Sequence, residues 1–169
     1  YTKDQGQIYP NTIQYTGNGT TAGIYQIHYS YASRPYASTS YATSFGLTTA
    51  KRLVSIEQQV NLGSGYQTVY QYQVSYDDTS SKGLLKQIQL VAGTSSIPPT
   101  VFGYTTSTST PYQPAGLLQS IQTPYGGTTT ITYKPSTQYR SSTGTALNGK
   151  LPLTIRTVSS VMTKNSSTD

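Results

Sequence analysis

The chain has no cysteine and no tryptophan, and only one methionine, one histidine and two phenylalanines in 169 residues. Without cysteine, thiolate zinc sites, iron–sulfur clusters, thiol nucleophiles and disulfide frameworks are excluded. Charge is scarce too: 11 Lys and Arg stand against five acids, a net charge of +6. The acids Asp4, Glu57, Asp77, Asp78 and Asp169 are scattered along the chain. One histidine, His28, and five dispersed carboxylates are thin material for general acid–base chemistry. The composition therefore reads against an enzyme, with no catalytic residue, no cofactor-binding set and no metal-ligating set assigned. Long apolar runs are missing as well: none approaches the roughly 18–20 residues of a membrane span. No basic-then-apolar leader follows Tyr1.

What is abundant is Thr (29), Ser (22), Tyr (17) and Gln (15). Leu, Ile, Val and Phe total 31, under the rough 20% line that warns of disorder. That warning requires high net charge as well, and the tyrosines supply large half-apolar surfaces. The chain reads as folded, with a length that fits one domain or two small ones.

Side chains alternate with a period of two, as half-buried strands require. Over 66–76 one parity holds Tyr66, Thr68, Tyr70, Tyr72, Val74 and Tyr76, and the other Gln67, Val69, Gln71, Gln73 and Ser75. Over 24–31, Tyr25, Ile27, Tyr29 and Tyr31 alternate with Ile24, Gln26, His28 and Ser30. Turn signals punctuate these runs at Gly17-Asn-Gly19, Gly63-Ser-Gly65, Asp77-Asp78, Pro98-Pro99, Gly126-Gly127 and Asn148-Gly149. Strands are expected near 12–15, 24–31, 52–60, 66–76, 84–91, 100–105, 117–122, 128–134 and 153–161. Propensity alone also allows a helix over 50–59. The fold class is all-β: stacked antiparallel hairpin units with under about 10% helix.

A phrase Leu-x-x-Ile recurs at Leu53/Ile56, Leu85/Ile88 and Leu118/Ile121, with Leu spacings of 32 and 33. Each follows an aromatic strand (Tyr29/Tyr31, Tyr72/Tyr76, Phe102/Tyr104). Such hairpin units cannot bury a face alone and become stable by stacking on neighbours. These Leu and Ile residues are expected to be buried in equivalent places. Residues three apart in a strand face opposite sides, so a bulge, a local twist or two layers would be needed to bring them together.

Tyr76-Asp77 followed by Gly83-Leu84-Leu85-x-x-Ile88 resembles one YD (RHS) repeat. The wider order of motifs resembles the region shared by SpvB virulence-plasmid proteins and the B component of insecticidal toxin complexes (TcaC/TcdB-like). The segments are Tyr9-Pro-Asn-Thr-Ile13-Gln-Tyr15-Thr-Gly17; Tyr29-x-Tyr31-x-x-Arg34-Pro35 with Lys51-Arg-Leu-x-x-Ile56; Tyr72-x-Val-x-Tyr76 with Ile97-Pro-Pro-x-x-Phe102-x-Tyr104; and Leu117-Leu118-x-x-Ile121 with Tyr125-Gly-Gly-Thr-Thr-Thr-Ile-Thr-Tyr133, Leu151-Pro152 and Val158-Ser-Ser-Val161. The resemblance implies a division into 1–105, a linker over 106–116 where relatives carry a β-propeller, and 117–169, within one continuous β-structure. It implies a non-catalytic structural module of a secreted or cell-surface prokaryotic virulence protein. Its strands would join a β-shell that encloses a toxin cargo and docks on a pore-forming partner. The structural repeat residues are then Leu53, Ile56, Tyr72, Tyr76, Asp77, Gly83, Leu85, Ile88, Leu118, Ile121, Gly126, Gly127 and Tyr133.

Other features have plainer readings beside sharper ones. His28 reads as an ordinary strand residue before a pH-sensitive contact, and Asp77-Asp78 as a turn before a cation site. Gly126-Gly127 is a hairpin turn, since no Lys-Ser/Thr and no helix follow to cradle phosphate. The basic residues are dispersed, which argues against nucleic acid. Asn18-Gly-Thr20 and Asn165-Ser-Ser167 fit the glycosylation sequon but have little weight in a prokaryotic setting. The tyrosine excess either fills a core short of Leu and Phe or offers an exposed stacking surface. The partners expected are neighbouring β-repeats or other chains through sheet edges. Two alternatives stay open: a Tyr-rich adhesin or carbohydrate-binding module, and a self-assembling filament or surface-layer subunit.

Overall fold

The computed structural model describes residues 1–80, 82–109 and 112–165. The chain divides into two compact units, Tyr1–Thr100 and Val101–Asp169. The sole helical element among the described residues is a single 3-10 turn, Ser136–Gln138. The other regular elements among the described residues are β-strands, and within each unit they pair antiparallel.

In the first unit β1 (Thr2–Asp4) and β2 (Gln7–Tyr9) form a small hairpin. The main sheet comprises β3 (Thr12–Tyr15), β4 (Tyr25–Ser40), β5 (Leu47–Asn61), β6 (Tyr66–Asp77) and β7 (Leu84–Ala92), with the short β8 (Ser95–Ser96) on β7. Strands neighbouring in sequence are neighbours in space, the meander that short turns produce. In the second unit β9 (Thr100–Tyr104), β12 (Leu118–Gln122), β13 (Thr128–Pro135) and β14 (Arg156–Lys164) lie side by side in that order. A two-stranded hairpin of β10 (Thr108–Ser109) and β11 (Tyr112–Gln113) falls inside the 106–116 stretch read as a linker.

The helical alternative for 50–59 is overturned. These residues lie within β5, which pairs with β4 on one side and β6 on the other. Two flanking ladders outweigh the helix propensity of Ala50-Lys51-Arg52-Leu53, because propensity is a weak prior against tertiary context. The strands expected at 24–31 and 52–60 are also longer than their patterning indicates, since β4 and β5 continue together as an arm to Ser40 and Leu47.

Directly paired residues share a face, so the register sorts the first unit's sheet into rows. Ile13, Ile27, Gln58 and Tyr70 form one row, and Tyr29, Ile56, Tyr72 and Leu90 another. Polar rows alternate with them: Gln14, Gln26, Gln59 and Thr68; Ser30, Ser55, Gln73 and Gln89. Tyr9, 6% exposed, is the sole large side chain with an apolar body to be buried among the described residues. Its hydroxyl accepts from the Ala50 and Lys51 N–H groups, both at 3.2 Å, and its ring meets Tyr31 edge-on at 5.3 Å. Leu53, Ile56, Leu85, Ile88, Leu118 and Ile121 are half-buried, not buried as expected. Each leans on cross-strand neighbours in its own sheet, which shields one side of a side chain and leaves its end open.

Candidate functional site: a bulge-and-tyrosine hairpin

The three Leu-x-x-Ile phrases share one backbone device. Tyr29 faces Ile56 and Tyr31 faces Leu53, so Val54 is an extra residue in β5. Val74 faces Ile88 and Tyr76 faces Leu85, with Lys86 extra in β7. Phe102 faces Ile121 and Tyr104 faces Leu118, with Gln119 extra in β12. The β-bulge thus falls in the same place each time, one residue after the Leu. In each aromatic strand the two facing residues are two apart and point to one side. The bulge brings Leu and Ile, three apart, onto that same side.

A fourth copy lies in β13 and β14. Ile131 faces Val161, Tyr133 faces Val158, and Ser159 is the extra residue. Val stands for Leu and Ile here, and the preceding spacing is 40 residues rather than 32 or 33. Sequence reasoning missed it as a repeat for those two reasons. The signal that could have found it is the preceding aromatic strand, Ile131-x-Tyr133, which has the spacing of Val74-x-Tyr76 and Phe102-x-Tyr104.

Tyrosine hydroxyls tie consecutive hairpins together. Tyr76 of the second hairpin donates to the Leu53 carbonyl of the first at 2.8 Å. Tyr133 of the fourth donates to the Leu118 carbonyl of the third at 2.7 Å. A bulge puts the ladder out of step, and a hydroxyl from the neighbouring strand supplies a donor to the acceptor strand beside it. Burial pushes the Tyr76 hydroxyl's pKa up, against the opposing pull of Arg52 and Arg34.

The remaining sequence-singled residues gather around these hairpins. Tyr72 pairs with Ile56 and Leu90. Asp77 ends β6 and its Oδ1 accepts from the Thr79 N–H at 2.9 Å and hydroxyl at 2.7 Å, closing a tight turn. Asp78 takes a bidentate fork from Arg52, at 2.5 and 2.7 Å, and the guanidinium lies 4.6 Å from the Tyr76 ring centre. These hydrogen bonds from Arg52 hold the Asp78 carboxyl below its usual range. Gly83 sits beside this pair with φ of 58°, a left-handed conformation that glycine adopts without strain. Gly126 and Gly127 close the β12–β13 hairpin, where the Thr123 N–H donates to the Gly127 carbonyl at 2.7 Å.

His28 and Glu57 face each other across β4 and β5, with Nδ1 and Oε2 3.8 Å apart. Burial raises the Glu57 carboxyl, and hydrogen bonds from Ser55, Thr68 and Gln59, with His28 nearby, outweigh it and bring its pKa below the ordinary value. Gln14 donates to Gln26, Gln26 to Gln59, and Gln59 to Glu57 and Thr68, a polar chain across four strands. On the other face Tyr15 and Tyr25 stack at 5.6 Å, both partly exposed, and Gln58 donates to the Tyr15 hydroxyl at 2.7 Å. Asn18 lies in a tight turn with Thr21. Asp169 and the Ser166-Ser167 part of the second sequon lie outside the described residues. No helix among the described residues is long and apolar enough to cross a membrane.

No curated protein matches the sequence. A family model does match, over residues 98–169, which hold the third and fourth hairpins. That stretch is similar to the insecticide toxin TcdB middle/N-terminal region.

Proposed function

We propose that the chain is a non-catalytic structural module of a secreted or cell-surface toxin-complex-like protein, and that its hairpins contribute strands to a β-shell used in toxin encapsulation or delivery. The observation that carries this reading is the fourfold recurrence of one hairpin geometry, with the bulge and the facing pairs in equivalent places. A hairpin whose side chains are only half-covered is stabilised laterally, by the next hairpin, which suits a wall built by repetition. The likeness of residues 98–169 to the TcdB middle/N-terminal region supports the toxin setting. The SpvB and YD-repeat likenesses belong to the same proposal, through Tyr76-Asp77 and Gly83-Leu84-Leu85-x-x-Ile88. Partners in this reading are neighbouring β-repeats, a polypeptide cargo and a pore-forming component.

The test is amide hydrogen exchange on the chain alone and within the toxin-complex-like polypeptide that carries it. The shell reading expects the edge strands β3 and β14 to exchange at least about ten-fold more slowly in the larger protein, as buried strands do. Unchanged exchange at both edges would discard it. A second reading, a carbohydrate-binding surface module, is favoured by the stacked, partly exposed Tyr15 and Tyr25. It would replace the first if an oligosaccharide titration shifts the tyrosine resonances and Tyr15→Ala abolishes the shift.

A further inference from the structure

β14 repeats the acceptor strand of the other hairpins, with Val158 facing Tyr133, the extra residue at Ser159 and Val161 facing Ile131. In β5 and β12 the residue at the place of Val158 is Leu53 or Leu118. Its carbonyl accepts a hydroxyl from the aromatic strand alongside, Tyr76 or Tyr133. The registers of those two interfaces agree. Tyr72 faces Ile56 and Tyr76, four residues on, reaches Leu53. Thr129 faces Ile121 and Tyr133, four residues on, reaches Leu118.

β14 has β13 as its single neighbouring strand among the described residues, and Val158, Val161 and Met162 are 51%, 61% and 57% exposed. Its Val158 carbonyl is nonetheless taken. Tyr139, which follows the 3-10 turn after β13, donates to it at 3.1 Å. The Tyr139 hydroxyl accepts from Thr157 Oγ1 at 3.0 Å, and Lys134 Nζ lies 3.8 Å from the ring centre. Tyr139 is outside the strand pattern, yet its hydroxyl occupies the acceptor that a following hairpin's tyrosine would take.

We propose that β14 is an acceptor edge for one further antiparallel strand, and that Tyr139 is a placeholder which this strand displaces. The strand has a β-forming residue opposite Val161, an apolar residue two positions on, and a tyrosine four positions on that donates to the Val158 carbonyl. Tyr72-Gln-Val74-Ser-Tyr76 and Thr129-Thr-Ile131-Thr-Tyr133 have this form. The occupant follows by continuity with the two interfaces already present. Main-chain hydrogen bonds along the open edge supply affinity, and the tyrosine supplies register. The inference rests on reading the hairpins as a stackable array, and adds which strand the edge selects and what it must displace.

The experiment uses the full 169-residue chain and a labelled peptide with the sequence of residues 128–135, titrated by fluorescence anisotropy. A second peptide carries Tyr133→Phe, and two more are N-methylated at odd or at even positions. The native-sequence peptide is expected to bind, and the Tyr133→Phe peptide about five-fold more weakly, the worth of one neutral hydrogen bond. Tyr139→Phe in the protein frees the carbonyl and should tighten binding of the native-sequence peptide by a similar factor. One of the two N-methylated peptides should not bind. Equal affinity of the tyrosine and phenylalanine peptides, no binding even to the Tyr139→Phe chain, or binding by both N-methylated peptides would overturn the proposal. Self-association of the chain that no peptide competes would do so too, because the edge then selects a second copy. The array reading itself fails on a separate result, unchanged amide exchange at both β3 and β14 in the larger protein.

Discussion

Removing a single hydroxyl, in Tyr76→Phe, tests whether the tyrosine ties hold the hairpins together. The ring stays, so its contact with the Arg52 guanidinium at 4.6 Å and its pairing with Leu85 are kept. What goes is the 2.8 Å hydrogen bond to the Leu53 carbonyl. Leaving a buried acceptor without its donor costs about 1–3 kcal/mol. This contact is only part-buried, so water re-solvates some of the carbonyl and the lower end applies, about 1–1.5 kcal/mol. With a urea slope of about 2 kcal/mol per molar, the unfolding midpoint should fall by roughly 0.5–0.75 M. Circular dichroism is the suitable probe, because the chain has no tryptophan. Tyr72→Phe is the matched control. Tyr72 lies in the same strand and on the same face but is 43% exposed, and its hydroxyl loss should stay within about 0.5 kcal/mol. Tyr133→Phe, which loses the bond to Leu118, should behave like Tyr76→Phe. A midpoint for Tyr76→Phe that coincides with the wild type, or an equal drop for Tyr72→Phe, would refute the idea that these hydroxyls couple the hairpins.

Leu85→Ala should destabilise by about 1–2.5 kcal/mol, roughly half the usual core deletion, because the side chain is half-buried; a loss near the full core value in a denaturation series would mean that a further layer covers this face. Glu57 has a pKa below its ordinary value of 4.5 in the folded chain. Its contribution to stability is therefore complete above that value and is lost as pH falls through the lowered folded pKa. The acid limb of a stability–pH curve should be shallower in Glu57→Gln than in the wild type, and identical limbs would show that Glu57 contributes nothing. Asp78→Asn should lower the thermal midpoint in dilute buffer and much less at about 1 M salt, where the screening length is about 3 Å; a salt-independent difference would assign the effect to the turn and not to the Arg52 pair. At Gly103, an added Cβ would lie 2.3 Å from Ser120 Oγ and 3.6 Å from Ser120 Cβ. Gly103→Ala should destabilise the chain and Ser120→Ala should recover most of the loss, so strictly additive effects in a double-mutant cycle would contradict the facing register of β9 and β12.

Apart from the β4–β5 arm, the period-two patterning located the main strands within a few residues, because one face of each strand differs chemically from the other. Tyr72, Val74 and Tyr76 announce themselves against Gln71, Gln73 and Ser75. The bulges could be anticipated only as a requirement, since Leu85 and Ile88 had to meet somehow. Nothing in Lys86, Val54, Gln119 or Ser159 has a common side-chain signature, because a bulge is made by backbone register and any residue can occupy it. The arm of β4 beyond Tyr31 was hidden by Ser33, Ser38 and Ser40, which blur the alternation. Tyr139 could not be told from the other tyrosines, because its meaning depends on the carbonyl it reaches 19 residues away.

The four hairpins share a base but not a tip. Six residues separate Ser40 from Leu47 and six separate Asp77 from Leu84, against 13 between Tyr104 and Leu118 and 20 between Pro135 and Arg156. Lengthening a loop from six residues to twenty costs only about 1 kcal/mol of closure entropy, less than a good hydrogen-bonded contact or two can return. Selection can therefore act on each tip almost independently of the base. Sequence drift, insertion of whole new segments and acquisition of new specificities can accumulate at the ends of the hairpins while the tyrosine, the bulge and the facing apolar pair stay put. In lineages that carry this hairpin, the greatest divergence is expected at the tips and the least around the register-setting pairs, so that novelty arises without refolding.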